Sequence, residues 1–563
     1  MRASGLAAFC GCSISSFRAF FESAVAAALM LLPGAPALAQ TSQGPGAIER
    51  TIPMPRLESA HPAPTIVAPS LPIASADNTA GRFVLGAVNI EGASVFSRED
   101  LASAFEPYLA TEIDEASLKE IAKRITDRYQ SAGYLLSYAY VPRQDVRAGI
   151  ARIVVVEGRV QTVVVEGAGR DRPALEAIAR RLADGRPLGL GALERTIGLI
   201  RDLPGVAVTD TSLSPTSDPA SHVLKLVVAH DRVRQLLFAD NRGPEGSDPA
   251  RLYSSTSLAS ALMTGDEIRL DLFAIPTRRY RYLYGQAGIT LPIGNGGLRF
   301  GLLASAGDLK QRGNGLSIDG DSSNVSAQLT YPLVRSRVWK LVAKGVINDL
   351  RNSSDQDGVR IQRDRLRVAR IGLDFAMDTT TRISGDLVVS HGLGVDGRTK
   401  VGDPLASRPD AGGRFSKVAF NLQLAHPLSK RMALNVAVAA QASDRPLLLI
   451  EEFALGGNRL GRAYDFNAVT GDRGFGGGVE LSYRLPDFRK GPKHVEIFAF
   501  ADGGVVGQKG PSHQAGRNGL ASIGAGSRLV FGRIAIASEL AVPLVSDGRD
   551  GSIRGLVTVF RTL

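Results

Sequence analysis

Two stretches of the 563-residue chain carry side chains whose types and spacing could do chemistry. The first is Leu455-Gly456-Gly457-Asn458-Arg459-Leu460-Gly461-Arg462-Ala463-Tyr464-Asp465, followed by Gly471-Asp472-Arg473-Gly474. It is too rich in Gly and charge for a strand, yet strand-like runs flank it. The second runs from Val495 to Gly504. One face of it is Val495, Ile497, Ala499 and Ala501; the other is Glu496, Phe498, Phe500, Asp502 and Gly504. Guanidinium, carboxylate and aromatic groups of this kind can pair with geometric specificity. The groups that catalysis would need do not stand out. There is no Gly-x-Ser-x-Gly elbow, no convincing His/Ser/Asp set and no G-x-x-x-x-G-K-[ST] loop. The seven His form no H-x-x-x-H pair, so a zinc site is not expected. Cys10 and Cys12 are the only cysteines, and removal of the N-terminal segment would leave none for a disulfide, a thiolate metal site or a nucleophile. Neither an enzyme nor a cofactor is expected.

The elements that must position these residues come in a definite order. Hydrophobic residues make up 44% of the chain, which excludes general disorder. The net charge is +11, but the basic residues are scattered singly, so no nucleic-acid footprint is read from them. Residues 1–39 read as a secretory signal. Arg2 and Arg18 supply positive charge, Ala24 to Leu32 is an apolar core, and Ala37-Leu38-Ala39 is a small-x-small cleavage site. Residues 40–80 are a linker, where closely spaced prolines (Pro53, Pro55, Pro64, Pro69, Pro72) forbid a continuous helix. Beyond the signal no uncharged apolar run reaches 18 residues, so no transmembrane helix is expected.

Residues 81–158 read as strand, helix, helix, strand, strand. The first helix opens on Ser97 with Asp100 three residues on; the second is capped by Asp114, carries Leu118, Ile121, Ile125 and Tyr129 on one face, and stops at Gly133. The same order repeats over 159–231, with Pro173 in a first helical turn and Pro204-Gly205 as a stop. Two copies of a small α+β module are the economical reading.

From residue 232 to 563 period-two alternation dominates. Val418, Phe420, Leu422 and Leu424 oppose Lys417, Ala419, Asn421 and Gln423; Ile371, Leu373 and Phe375 alternate with Gly372, Asp374 and Ala376. Segments of about ten residues, apolar on one face and polar or small on the other, are the pattern of an outer-membrane barrel. Lipid cannot hydrogen-bond a backbone, so such a sheet must close. A soluble β-sandwich is the alternative, with the apolar face turned inward. Gly/Asp/Ser-rich stretches at Asp308 to Asn324, Asn348 to Arg363 and Asp396 to Gly413 read as the long connections.

The run Gly133-Tyr134, Ala139, Val141-Pro142, Gln144, Gly149 and Glu157-Gly158 resembles the periplasmic POTRA domain of two-partner secretion (type Vb) transporters, the haemolysin secretion/activation proteins. The resemblance covers nearly everything after residue 80. It implies two POTRA domains followed by a transmembrane barrel of about sixteen antiparallel strands. Asp240-Asn241-Arg242-Gly243 looks like the family's start of the barrel, with Asp240, Asn241 and Gly243 as its marks; a bare Asx turn is the other reading. The Gly-rich segment resembles a long loop inserted in the lumen (453–476), whose tip motif is matched by Arg462 and Tyr464 with Ala463 in place of the usual Gly. If that Gly has positive φ, Ala would cost energy there. Phe500, Asp502 and Gly504 match an inward-facing wall motif, and the resemblance implies that Arg462 packs on it and pairs with Asp502. The end of the chain, Val559-Phe560-Arg561-Thr562-Leu563, departs from the usual terminal aromatic, and the family's N-terminal plug helix is not visible in residues 41–80.

The implied function is non-enzymatic: capture of an exported partner in the periplasm and its passage through the barrel, driven by folding of the cargo outside. The implied partners are a large secreted exoprotein of β-helical type, outer-membrane lipid, and the outer-membrane assembly machinery during biogenesis. The implied place is the outer membrane of a Gram-negative cell with the POTRA domains in the periplasm. An assembly factor of the wider POTRA-plus-barrel superfamily and a passive porin are the alternatives. Two modules argue against the first, and the presence of modules at all argues against the second.

Overall fold

The computed structural model describes residues 81–563, except 147–148, 244–249, 278–279, 314, 487–490, 512–517, 546–552 and 563, together with Ile66 and Val67. The signal segment and, apart from those two residues, the linker lie outside the described residues. Ile66–Val67 (β1) is not slack tether: it is a short strand paired to a later sheet.

The first module is β2 (Phe83–Val84), β3 (Ala87–Glu91), α1 (Arg98–Phe105), β4 (Glu112–Ile113), α2 (Glu115–Ser131), β5 (Tyr138–Tyr140) and β6 (Ile150–Val156). α1 starts on a capping box: the Ser97 hydroxyl accepts from the Asp100 N–H, and the Asp100 carboxylate accepts from the Ser97 N–H at 3.0 Å. α2 packs Leu118, Ile121, Ile125 and Tyr129 in one core with Ala151, Ile153 and Val155 of β6. Glu157 staples the loop after β3. Its carboxylate accepts from the N–H groups of Ser94 (2.7 Å) and Val95 (2.8 Å), the Tyr129 hydroxyl (2.7 Å) and the Ser94 hydroxyl. Burial alone would raise this carboxyl, but the donors outweigh it and hold Glu157 below the usual carboxylate range. A depressed folded value stabilises above the unfolded value and is lost as pH falls through the folded one. Glu157→Gln should therefore destabilise the module by about 2 kcal/mol near neutral pH, with the difference shrinking in acid. Hydrogen exchange of α2 amides in the full chain measures both.

The second module is β7 (Arg159–Glu166), α3 (Arg172–Ala179), α4 (Leu190–Arg201), β8 (Val206–Pro215) and β9 (Ser221–His230). Its sheet runs β1-β8-β9-β7, with β7 parallel and β8 antiparallel to β9. The linker strand β1 adds in parallel to the free edge of β8, Ile66 opposite Thr211 and Val67 opposite Ser212.

Sixteen antiparallel strands then close a barrel. They are β10 (Val233–Asp240), β11 (Arg251–Ala259), β12 (Glu267–Pro276), β13 (Tyr280–Ile293), β14 (Leu298–Gly313), β15 (Leu316–Arg335), β16 (Trp339–Gln356), β17 (Val359–Asp378), β18 (Arg382–Gly392), β19 (Ser416–Pro427) and β20 (Met432–Ser443). After a hairpin of β21 (Phe453–Leu455) and β22 (Val469–Gly471) come β23 (Arg473–Arg484), β24 (His494–Gly507), β25 (Gly519–Phe531), β26 (Ile534–Pro543) and β27 (Arg554–Thr562). β10 leaves a periplasmic module, so its far end, and every second connection after it, faces outside. The lipid face is apolar as the alternation requires. Ile371 is 75% exposed, which only a lipid neighbour makes favourable. At the periplasmic ends Tyr331, Trp339, Tyr483 and Phe531 are exposed, an aromatic belt at the headgroup level.

Two sequence expectations are corrected. Asp308 to Asn324 and Asn348 to Arg363 are not long connections: both lie almost wholly in strands, β14 with β15 and β16 with β17. β15 has 20 residues. At about 3.3 Å per residue and a tilt near 40° it rises about 50 Å, twice the ~25 Å apolar band. Above the band both faces are wet and the period-two signal vanishes, so the sequence there resembles loop. Only 393–415 is a long connection of the three. Nor is the lumen face polar everywhere: Leu236, Phe238, Tyr253, Phe273, Tyr282 and Leu309 form a buried inner cluster on β10–β14, and Phe560 turns inward onto Phe238 (ring centroids 5.8 Å apart).

The second module is fixed under the barrel by charge. The Asp202 carboxylate, just past α4, receives Arg335 (2.8 Å) and Lys340 (3.2 Å), while its carbonyl receives Arg299 (2.9 Å). Asp171 receives Arg232 (3.0 Å) and the Thr264 hydroxyl (2.8 Å).

Candidate functional site

Residues 444–472 leave β20, fold back into the lumen as the β21/β22 hairpin and its tip, and return to β23. The tip packs on the inner wall: Leu455, Leu460, Ala463, Tyr464 and Val469 share a buried cluster with Phe498, Phe500, Val506 and Leu520. This close seating uses glycine twice. Gly461 has φ +81°, the left-handed region. On Gly504 a Cβ would lie 2.4 Å from the Phe475 carbonyl and 2.9 Å from Leu455 of the loop, so its absence lets the hairpin lie against the wall. Ala463 is not among the positive-φ residues, so the strain anticipated there is absent; Gly461 takes the unusual conformation instead.

Arg462 and Asp502 are brought together, but the pairing is broader than a single bridge. Asp502 Oδ1 accepts the N–H groups of Gly461 (2.7 Å) and Arg462 (3.3 Å) and the Ser522 hydroxyl. Arg462 Nε lies 3.2 Å from Asp502 Oδ2, close enough for an ion pair but not aligned as a hydrogen bond. The aligned bond of Arg462 goes to Glu480 Oε2 at 2.8 Å, and Glu539 stands at 3.9 Å. One guanidinium thus faces three carboxylates, and its plane sits over the Phe500 ring at 4.1 Å. Beside it Arg528 repeats the arrangement over Phe498 (4.0 Å), held by Glu480 (2.7 Å) and Glu496 (2.6 Å). The Tyr464 hydroxyl lies 2.9 Å from the Ala521 carbonyl and 2.7 Å from that of Val545, and accepts the Val545 N–H at 3.1 Å.

The residues at the start of the barrel lie across its seam. Five residue pairs join β10 to β27, against eight from β10 to β11. Asn241 extends the seam with its side chain, donating to the Gly555 carbonyl (2.9 Å) and accepting the Val557 N–H (2.7 Å). Asp240 accepts the Arg242 N–H (3.0 Å), the Asx turn that the bare reading offers, and also holds the buried Arg251 through two bonds of 2.7 and 2.6 Å. Gly243 is buried. Arg242 reaches Glu539 at 2.6 Å, so the seam and the loop tip share that carboxylate. Arg251 also stacks on Phe466 of the loop at 4.3 Å.

Sequence reasoning missed Glu480, Glu539, Arg528 and Arg251, and named Arg242 at the start of the barrel without its partner Glu539. The available signal was their inward register: Glu480 is opposite Phe500, and Arg528 opposite Glu496. Among the described residues no cluster of His, Cys, Asp and Glu could hold a metal ion.

Comparison with known proteins agrees with this architecture. Residues 221–529 match the haemolysin secretion/activation protein ShlB/FhaC/HecB profile, and residues 83–158 match the ShlB-type POTRA domain. The chain is 24% identical over 402 residues to the heme/hemopexin transporter protein HuxB of Haemophilus influenzae (strain 86-028NP), covering 69% of this chain and 70% of that one. It is 21% identical over 441 residues to the outer membrane transporter CdiB of Dickeya dadantii (strain 3937), covering 75% and 76%. The solved structure of CdiB from Escherichia coli superposes with a TM-score of 0.74 at 20% identity over 99% of this chain and 100% of that one. With its POTRA modules, closed sixteen-strand barrel and profile match over more than half its length, the chain belongs to the haemolysin secretion/activation protein family, the outer-membrane transporters of two-partner secretion.

Proposed function

We propose that this transporter captures an extended segment of its secreted partner on the β8 edge of the second module, and that the Arg462–Tyr464 tip then gates the lumen. The observation that carries the reading is β1. A two-residue strand from the linker already adds to β8 in parallel, so this edge accepts an extended chain, with backbone hydrogen bonds supplying affinity. A longer segment of cargo, pairing along more of β8, would displace so short an occupant. The module's contacts with the barrel through Asp202 and Asp171 support this reading, in which the captured strand would sit at the periplasmic mouth. The cargo in this reading is a large exoprotein whose N-terminal segment is extended on arrival, and the assembly machinery acts only during insertion of the barrel.

Deletion of Ile66 and Val67 from the full chain should strengthen photo-crosslinking of the partner's N-terminal segment to a probe at Ser212 several-fold. Unchanged crosslinking would show that the β8 edge is not the capture site.

A further inference from the structure

We propose that the outward face of β16 and β17 holds a binding site for the phosphate groups of the phosphorylated glycolipid of the outer leaflet. Along β17 the outward residues are Met377, Phe375, Leu373, Ile371 and Ala369, then abruptly Arg367, Arg365 and Arg363. Along β16 they are Leu341, Ala343, Gly345 and Ile347, then Asp349 and Arg351. The two changes fall in the same register, since Ile347 faces Ala369, Asp349 faces Arg367 and Arg351 faces Arg365. The apolar band ends at one height on both strands, and guanidinium begins there.

Asp349 is the one carboxylate that β16 and β17 contribute to these rows. Arg367 (2.8 Å), Arg398 of the 393–415 loop (2.5 Å) and Arg351 (3.4 Å) all converge on it. Arg365 has no carboxylate partner among the described residues, and it stands directly opposite Arg351, which is 64% exposed. Like charges directly opposite in a ladder are destabilising. Arg351, Arg363, Arg365, Arg367 and Arg398 against Asp349, and against Asp321 of β15 in the Arg363 row, leave an excess of three positive charges at the membrane surface. The neighbouring strands at similar height show no such excess: Arg281 pairs with Asp308 at 3.3 Å, and Lys310 faces Asp319.

The Arg351/Arg365 row lies four residues beyond the last apolar row. That is about 13 Å along the strand and about 10 Å in height, within the headgroup layer and within reach of long side chains. Planar guanidinium binds phosphate bidentately, and two opposed guanidiniums are a ready cradle for one. The site is at the outer end of the strands, so the phosphate belongs to the outer-leaflet glycolipid and not to the phospholipid of the inner leaflet.

The test uses the full-length protein in detergent with bisphosphorylated lipid A, dephosphorylated lipid A or phosphatidylglycerol as probe, and reads barrel melting. Lipid A should raise the melting temperature by several degrees, and the Arg351→Gln/Arg365→Gln variant should lose most of that rise. Without lipid the same variant should melt at or above the parent, because the opposed charges are gone; a residue that was merely structural would lower it. Arg281→Gln/Lys310→Gln should keep the rise, and the single Arg365→Gln provides the comparison if the double variant loses heat-modifiable migration. An equal rise in the Arg351/Arg365 variants, or an equal rise with dephosphorylated lipid A or phosphatidylglycerol, would overturn the proposal.

Discussion

Secretion by an Arg462→Ala transporter should fall at least tenfold while the barrel still assembles and migrates in its heat-modifiable form. Truncation leaves Asp502 buried without its cation, while Glu480 keeps Arg528 at 2.7 Å. Breaking one side of a buried charge pair costs about 3–5 kcal/mol. At 1.4 kcal/mol per tenfold, even the lower figure shifts the seated-to-released ratio of the loop by roughly a hundredfold. The strands do not depend on the loop, because β20 pairs with β23 directly around it. Asp502 should be graded. In Asp502→Asn the amide oxygen can still accept the Gly461 and Arg462 N–H groups, so only the charge is lost; Asp502→Ala loses both and should be worse. Arg462→Ala combined with Asp502→Asn should be milder than the sum, with a coupling of about 0.5–3 kcal/mol. Partner protein in the medium, normalised to transporter in the outer membrane, is the readout. Normal secretion by both single variants would show that the pair is not functional, and strict additivity that the two do not act together.

Tyr464→Ala should release the tip by a second, uncharged route. The ring is buried in the tip cluster, and removing a large buried aromatic costs about 3–5 kcal/mol. Tyr464→Phe keeps the ring and loses only the hydroxyl, leaving the Val545 N–H without that acceptor, at about 1–3 kcal/mol. Secretion should therefore follow wild type, then Phe, then Ala. Protease cleavage of residues 456–468 from outside in intact cells should rise in the same order. If Ala and Phe behave alike, the hydroxyl carries the contact and ring packing does not.

Much of this was legible in the residue order for a simple physical reason: a strand between lipid and water must alternate. Ile371, Leu373 and Phe375 announce their face, and the same rule turns Asp502 inward. Where lipid stops, the rule stops. Asp319 and Asp321 lie in a strand that reads as a loop, since nothing above the membrane requires either face to be apolar. The inner cluster around Phe238 and Tyr282 escaped for the converse reason: apolar side chains on both faces hide the alternation. Glu480 and Glu539 escaped because their shared partner, Arg462, is 18 and 77 positions away, and only closure of the barrel sets all three side by side. The Ala463 substitution misled because the demanding backbone position is two residues earlier, at Gly461.

Arg462 has the character of a tethered counter-ion. On the wall around the seated tip stand four carboxylates, Glu480, Glu496, Asp502 and Glu539, and three guanidiniums, Arg242, Arg528 and Arg554. While the loop is in place, Arg462 sits among the carboxylates and the loop's Asp465 holds Arg554. Once the loop withdraws, the vacated wall keeps a net charge of about one negative, with Glu480, Asp502 and Glu539 uncovered together in a narrow, weakly screened passage. The space opened for cargo would thus carry an electrical preference that the resting channel masks. Basic or neutral stretches of a passing chain would cross it more readily than acidic ones, and the returning arginine would be drawn back when the passage empties.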